Sequence, residues 1–197
     1  MKNKELIMKI VRENNGTITS KQVSSLGLSR GSLKYLSDQG ILERTSRGVY
    51  ILPEVWEDEI FNLQIRFKKG IFSKDTSLFL HDFTDRTPIK FHMTFPINYN
   101  TTALKLENVI FDRVKNELYE VGVVEIKTPG GNTVRAYGIE RTLCDILKGR
   151  SHIDIQIISE AFKRYSISEK KNIPLLSEYS RLFRVEKKVS SYLEVLL

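Results

Sequence analysis

The sequence predicts an α+β protein, with helices toward both ends of its 197 residues and strands grouped between them. Three patterns carry this reading. Apolar residues recur at helical spacing in the first forty and last sixty positions. Apolar and polar residues alternate strictly from Ile89 to Pro96. Pro129-Gly130-Gly131-Asn132 divides two strand-like runs, Val121 to Lys127 and Thr133 to Gly138, as a hairpin turn would. The regular strand–helix alternation of a parallel sheet is missing, so the middle sheet is expected to be of antiparallel type.

Taken in order, Leu6, Ile7, Ile10 and Val11 form the apolar face of a first helix, which Gly16 stops. Thr19-Ser20-Lys21-Gln22 is a capping box, in which the Thr hydroxyl and the Gln side chain satisfy each other's orphan amides. Val23 and Leu26 line the short second helix, and Gly27 closes it. Ser29 is the expected N-cap of a third helix, with Leu28 stapled onto Leu33, Leu33 and Leu36 turned inward, and Gly40 as its stop. Ile41 to Arg44 and Val49 to Leu52 then read as two strands around Thr45-Ser46-Arg47-Gly48. Helix, helix, glycine-bearing turn, helix and two-stranded wing is the order of a winged helix-turn-helix.

Beyond Pro53, Trp56, Ile60, Leu63 and Phe67 repeat at four, three and four residues, the stripe of a connecting helix. A short helix follows from Ser73 through Leu80. The alternating strand from Ile89 comes next, with one face buried. Four more helices are expected at Ile139–Leu147, Ile153–Tyr165, Pro174–Phe183 and Val189–Leu196. The resulting division is a winged helix over 1–53, a linker helix over 54–70 and a mixed α/β C-terminal domain over 71–197.

Charge is unevenly spread. Residues 1–53 hold nine Lys and Arg against four acids, net +5, whereas the other 144 residues carry net +2. A locally basic segment favours a polyanionic partner. With Leu33 and Leu36 buried, Arg30, Gly31, Lys34 and Tyr35 lie on the outward faces of the third helix, in the half that a recognition helix puts into the major groove. The candidate DNA contacts are Lys21 and Gln22 on the second helix, Ser29, Arg30, Gly31, Ser32, Lys34 and Tyr35 on the third, and Arg44, Thr45, Ser46 and Arg47 in the wing. Solvated helix positions are the alternative for Arg30 and Lys34, and half-buried packing for Tyr35. Winged helices also bind proteins, an alternative that the net +5 disfavours.

Catalytic signatures are missing: there is no phosphate loop, nucleophile elbow, HExxH or GxGxxG. The nearest candidate is His81-Asp82-Phe83-Thr84-Asp85-Arg86 with His92, where Asp82, Asp85 and His92 would hold a metal for phosphodiester cleavage. Turn-capping aspartates and an Asp85–Arg86 ion pair are the simpler reading. Glu140, Arg141 and Asp145 read as a salt-bridged network, and Cys144 as a buried small residue. Three histidines, at 81, 92 and 152, are too scattered for a zinc site. No metal or cofactor is expected. One cysteine and no apolar run of membrane-spanning length fit a cytoplasmic protein without a membrane partner.

Several phrases in this order resemble the AbiEi-family antitoxins of bacterial abortive-infection systems. They are Leu33-Lys34-Tyr35-Leu36, Gly40-Ile41-Leu42-Glu43-Arg44 and Arg47-Gly48-Val49-Tyr50, then Phe72-Ser73-Lys74-Asp75-Thr76-Ser77-Leu78-Phe79-Leu80-His81 with Asp85-Arg86-Thr87-Pro88. Gly138-Ile139-Glu140-Arg141-Thr142-Leu143-Cys144-Asp145-Ile146 and Tyr192-Leu193-Glu194-Val195-Leu196-Leu197 complete the set. The resemblance implies a non-enzymatic autoregulator. Its N-terminal domain would repress the antitoxin–toxin operon at promoter repeats, and its C-terminal domain would counteract a cognate nucleotidyltransferase-like toxin. In this type IV arrangement the two proteins need not form a stable complex, and the system defends bacterial populations against phage.

One winged helix reads few base pairs, so two copies on an inverted repeat are expected. Two other readings stay open: a one-component repressor whose C-terminal domain senses a small ligand, and a nuclease using Asp82, Asp85 and His92.

Overall fold

A computed structural model gives the structure of residues 2–149 and 153–196; His152 and Leu197, named above, lie outside the described residues. The chain divides into two compact units, Met1–Lys68 with Lys127–Thr133, and Lys69–Ile126 with Val134–Leu197.

In the first unit the elements run α1 (Lys2–Glu13), β1 (Thr17–Thr19), α2 (Ser20–Ser25), α3 (Gly31–Asp38), β2 (Glu43–Ser46), β3 (Val49–Ile51) and α4 (Glu59–Arg66). Ile7, Val11, Ile18, Val23, Leu33, Leu36, Leu42 and Tyr50 make its core. Each contributes roughly 1.5–3 kcal/mol by leaving water. The capping box forms as read: Gln22 N–H donates to Thr19 Oγ1 at 3.2 Å, and Thr19 N–H donates to Gln22 Oε1 at 2.8 Å. Gly16 turns the chain after α1 with φ +77°, where a Cβ would come within 2.4 Å of Val55 Cγ2. Only glycine meets both conditions at that point.

The wing gains a strand that the sequence did not announce. β1 pairs antiparallel with β3, Thr17 opposite Ile51, giving a sheet of order β1-β3-β2. Arg30, with helical φ −60° and ψ −25°, stands at the start of α3, and Ser29 Oγ accepts from Gly31 N–H at 3.2 Å. The predicted stripe of the connecting helix needs correction at its first member. Trp56 is 94% exposed and precedes α4, because Asp58 caps the helix by accepting from Phe61 N–H at 3.0 Å. Ile60, Leu63 and Phe67 are buried as expected. The second Asp58 oxygen accepts from Thr128 and Asn132, which ties the turn 127–133 to this unit.

The second unit contains β4 (Ile71–Phe72), α5 (Lys74–Leu80), β5 (Phe91–Pro96), a 3-10 turn (Thr102–Leu106), β6 (Val109–Val114) and α6 (Asn116–Tyr119). The strands β7 (Val123–Lys127) and β8 (Thr133–Tyr137) follow, then α7 (Ile139–Ile146), α8 (Ile155–Ile167), α9 (Ile173–Leu182) and α10 (Glu186–Leu196). The five-stranded sheet has order β6-β5-β4-β8-β7. It is mixed rather than antiparallel: β5–β6 and β4–β8 are parallel, and β4–β5 is antiparallel. The two-residue β4 creates this by inserting between β5 and β8.

β5 also departs from its sequence pattern. Phe91 through Phe95 are all buried, so both faces are covered. Its polar residues are partnered by the α5 segment: His92 Nδ1 meets Asp75, His92 N–H donates to Thr76 Oγ1 at 2.8 Å, and Thr94 Oγ1 donates to Ser73 Oγ at 3.0 Å. Buried polar groups tolerate such a place only when bonded.

The terminal helices share a core that includes Leu78, Leu143, Cys144, Phe162, Tyr165, Leu176 and Val189. Burial pushes the Cys144 thiol up to about 12, so it is an inert packing group. Arg141 is fully buried and donates to Asp145 at 2.8 Å, while Glu140 accepts from the Tyr165 hydroxyl at 3.1 Å. Among the described residues no helix is long and apolar enough to cross a membrane.

Burial lowers the His81 pKa below its ordinary 6.5. Its ring is therefore neutral at pH 7 with the proton on Nε2, which donates to the Tyr137 carbonyl at 2.9 Å. Below pH 6.5 the unfolded state takes up a proton before the folded one, so stability falls as pH drops from 6.5 toward the folded value. His81→Gln, which keeps a donor without the titration, is expected to shrink the stability loss between pH 7.5 and 5 in urea melts. An unchanged loss would show that His81 is not its source.

Candidate nucleic-acid interface

The first unit gathers α2, α3 and the wing, and two hydrogen bonds fix them together. Ser20 N–H, opening α2, donates to the wing-turn carbonyl of Gly48 at 2.8 Å. Across the Gly27 turn, Arg30 Nε donates to Ser24 Oγ at 2.7 Å. The wing turn needs its glycine, since Gly48 sits at φ +83°. Strand β2 is tied to α4 as well: the buried Asn62 amide donates to Thr45 Oγ1 at 3.3 Å and to Glu57 at 2.6 Å.

The candidate contacts separate into two groups by exposure. Lys21, Ser29, Arg30, Gly31, Lys34, Tyr35, Arg44 and Arg47 are exposed; Gln22, Ser32, Thr45 and Ser46 are partly covered. Tyr35, at 60% exposure, is not the packing residue that was its alternative. The partly covered group includes side chains already in use. Gln22 Oε1 serves the capping box and Thr45 Oγ1 accepts from Asn62. The Ser46 hydroxyl is buried and has no hydrogen-bond partner among the described residues. Arg44 Nε reaches back to the Ser46 carbonyl at 3.3 Å.

What remains outward is mostly cationic: Lys21 on α2, Arg30 and Lys34 on α3, and Arg44 and Arg47 on the wing. Such a set meets phosphates through charge and bases through guanidinium hydrogen bonds. Sequence reasoning named Arg30 but missed Ser24, whose role depends on how the Gly27 turn folds α2 toward α3.

The nuclease constellation in the second unit does not assemble. His92 is buried against Asp75, and Asp85 is exposed and bound by Arg164, whose hydrogen bond holds its carboxyl below the usual range. Arg86 pairs with Asp154 at 3.6 Å instead of Asp85, and also donates to Gln156 Oε1 at 2.8 Å. Among the described residues no group of three or more His, Cys, Asp or Glu could hold a metal ion.

The same unit contains a cavity of about 260 Å³ lined by Lys74, Thr94, Asp112, Arg113, Val114, Asp145 and Lys148. Lys74 pairs with Asp112 at 2.7 Å and Lys148 with Asp145. Lys74 also holds a left-handed φ of +51°, a conformation that costs an L-residue about 1–3 kcal/mol.

Comparison with known proteins adds to these observations. The crystal structure of the RV2827C protein from Mycobacterium tuberculosis is similar with a TM-score of 0.55 and 11% identity, over 89% of this chain and 70% of that one. At that identity the likeness is one of fold. Among curated proteins no sequence matches. Residues 5–53 match the family model described as "Transcriptional regulator, AbiEi antitoxin". That match takes in α1 to α3 and the wing just described, and over this segment the chain is similar to the AbiEi antitoxin family of transcriptional regulators.

Proposed function

We propose that the chain is the antitoxin of a type IV abortive-infection system and represses its own operon. Its winged helix binds promoter inverted repeats as two copies, with α3 in the major groove and Arg47 of the wing against phosphate or minor groove. The second unit counteracts a nucleotidyltransferase-like toxin without enzymatic activity of its own and without a stable complex. The protein acts in the cytoplasm as part of phage defence. One observation carries the reading: the segment that matches the antitoxin regulators presents Arg30, Lys34 and Arg47 outward on the two elements that grip DNA in this fold.

Two measurements test it. Footprinting on the promoter upstream of the gene should protect both halves of an inverted repeat. Growth of cells that express the neighbouring nucleotidyltransferase gene should be restored by the full chain. Protection of a single half-site at saturation, or no rescue by folded protein, would sink the corresponding half of the proposal.

A second reading is favoured by the charged cavity around Lys74, which suits a small ionic ligand of a sensing domain. Loss of promoter binding on adding a metabolite would support it, and rescue from the toxin would not then be expected.

A further inference from the structure

α2 and α3 are joined by more than their turn. Ser24 lies on α2, and its hydroxyl donates to the Ser20 carbonyl one turn back at 2.9 Å. A hydroxyl has a single proton, so this bond commits it and leaves lone pairs facing outward. One of them receives Arg30 Nε–H at 2.7 Å. The direction of the relay is thereby fixed, from Arg30 through Ser24 to the α2 backbone.

This arrangement decides which edge of the guanidinium is on offer. Arg30 makes no ion pair among the described residues, so no carboxylate neutralises it. Nε is occupied. The side-on fork, made of Nε and one terminal nitrogen, is unavailable to a phosphate. The end-on fork of the two terminal nitrogens remains, and its parallel N–H groups match the O6 and N7 acceptors of guanine. The position is right for that use, because Arg30 begins α3 and the N-terminal residues of a recognition helix meet the base edges. Lys34, a point charge one turn on, has no such geometry and suits phosphate. A long arginine left loose would lose its rotamer freedom on binding; one already held loses less.

We propose that Ser24 is a positioning residue for Arg30, holding its guanidinium so that one guanine in each half-site is read through O6 and N7. The proposal rests on the DNA-binding reading above and names its base specificity.

The test uses the full chain. Duplexes are first selected from a randomised pool. Affinities are then measured for the selected site with guanine or 7-deazaguanine at each conserved guanine, since 7-deazaguanine lacks only the N7 acceptor. In the wild type, one such replacement should weaken binding roughly tenfold, the lower range for loss of a bidentate contact. Arg30→Ala and Ser24→Ala should both shrink that penalty toward nothing, and Ser24→Thr, which keeps the hydroxyl, should restore it. A role of Ser24 in folding alone would lower affinity for every duplex alike and leave the deaza penalty intact. A full penalty in Ser24→Ala, or in Arg30→Ala, overturns the assignment while leaving DNA binding standing. Failure of the wild type to enrich any sequence would instead overturn the DNA-binding reading, and this one with it. Circular dichroism on each variant confirms that the helices are in place.

Discussion

Replacing Arg30, Lys34 and Arg47 together by alanine is expected to weaken operator binding roughly 100- to 10,000-fold at moderate salt. Loss of the base contact by itself is worth about 1–3 kcal/mol, and each lost phosphate contact adds an electrostatic share. All three side chains are exposed, whereas the residues that hold α3 in place, Leu33 and Leu36, are buried and untouched. The fold should therefore survive. Salt dependence separates the roles: each phosphate contact removed lowers the slope of log affinity against log salt by about one, whereas loss of a base contact leaves that slope unchanged. Fluorescence anisotropy between 50 and 300 mM salt, on about six duplexes of differing sequence, reads both effects. Lys9→Ala is the control, since Lys9 lies on α1, faces Glu13 at 3.8 Å and belongs to none of the DNA-facing elements. Unchanged operator affinity in the triple variant would overturn the assignment of helix and wing. A loss of log affinity in the Lys9 control as large, per charge removed, as that in the triple variant would reduce the effect to net charge alone.

The reach of sequence reasoning followed the distance over which each signal acts. The capping box at Thr19 and Gln22 and the glycine stops at 16, 27 and 40 act within one turn of chain, and α1, α2 and α3 are legible from them. β1 and β4 are three and two residues long and exist because of partners far along the chain, Ile51 for Thr17 and Thr94 for Ile71. No local pattern marks them. Trp56 fitted the stripe of α4 by spacing, but the carboxylate of Asp58 set the helix start after it, since a cap outranks an apolar periodicity. The polar positions of β5 looked solvent-facing until Ser73, Asp75 and Thr76 supplied their partners. In the candidate interface, outward-facing cations could be named from helical geometry alone. Which of them is held, and by what, required the α2–α3 turn in three dimensions.

The largest stability effect is expected at Arg141, in the second unit. Its guanidinium is fully buried, donates from Nε to Asp145 at 2.8 Å and from Nη1 to the carbonyls of Leu118 and Val121 at 2.9 and 3.1 Å. Its Cζ lies over two aromatic rings, 3.8 Å from the ring centre of Phe183 and 4.3 Å from that of Tyr137. Arg141→Ala would leave two backbone carbonyls unbonded, a void between two aromatic rings, and Asp145 buried with Lys148 as its remaining cation. Breaking a buried pair from one side costs about 3–5 kcal/mol, a large part of the 5–15 kcal/mol that holds a domain of this size. Urea melts followed by circular dichroism should show the second unit unfolding at much lower denaturant, and rescue from the toxin should fail. The first unit has its own core of Ile7, Val11, Leu33 and Leu36, so operator binding should outlast that loss. The double variant Arg141→Met/Asp145→Leu separates charge from volume. Removing both partners leaves no stranded carboxylate, and also removes Arg141 Nη2, which is buried with no hydrogen-bond partner among the described residues. It should recover at least half of the stability lost in Arg141→Ala. A double variant no more stable than the single one would place the cost in the void and the orphaned carbonyls, and remove the ion pair from the account of how α7 is held on the sheet.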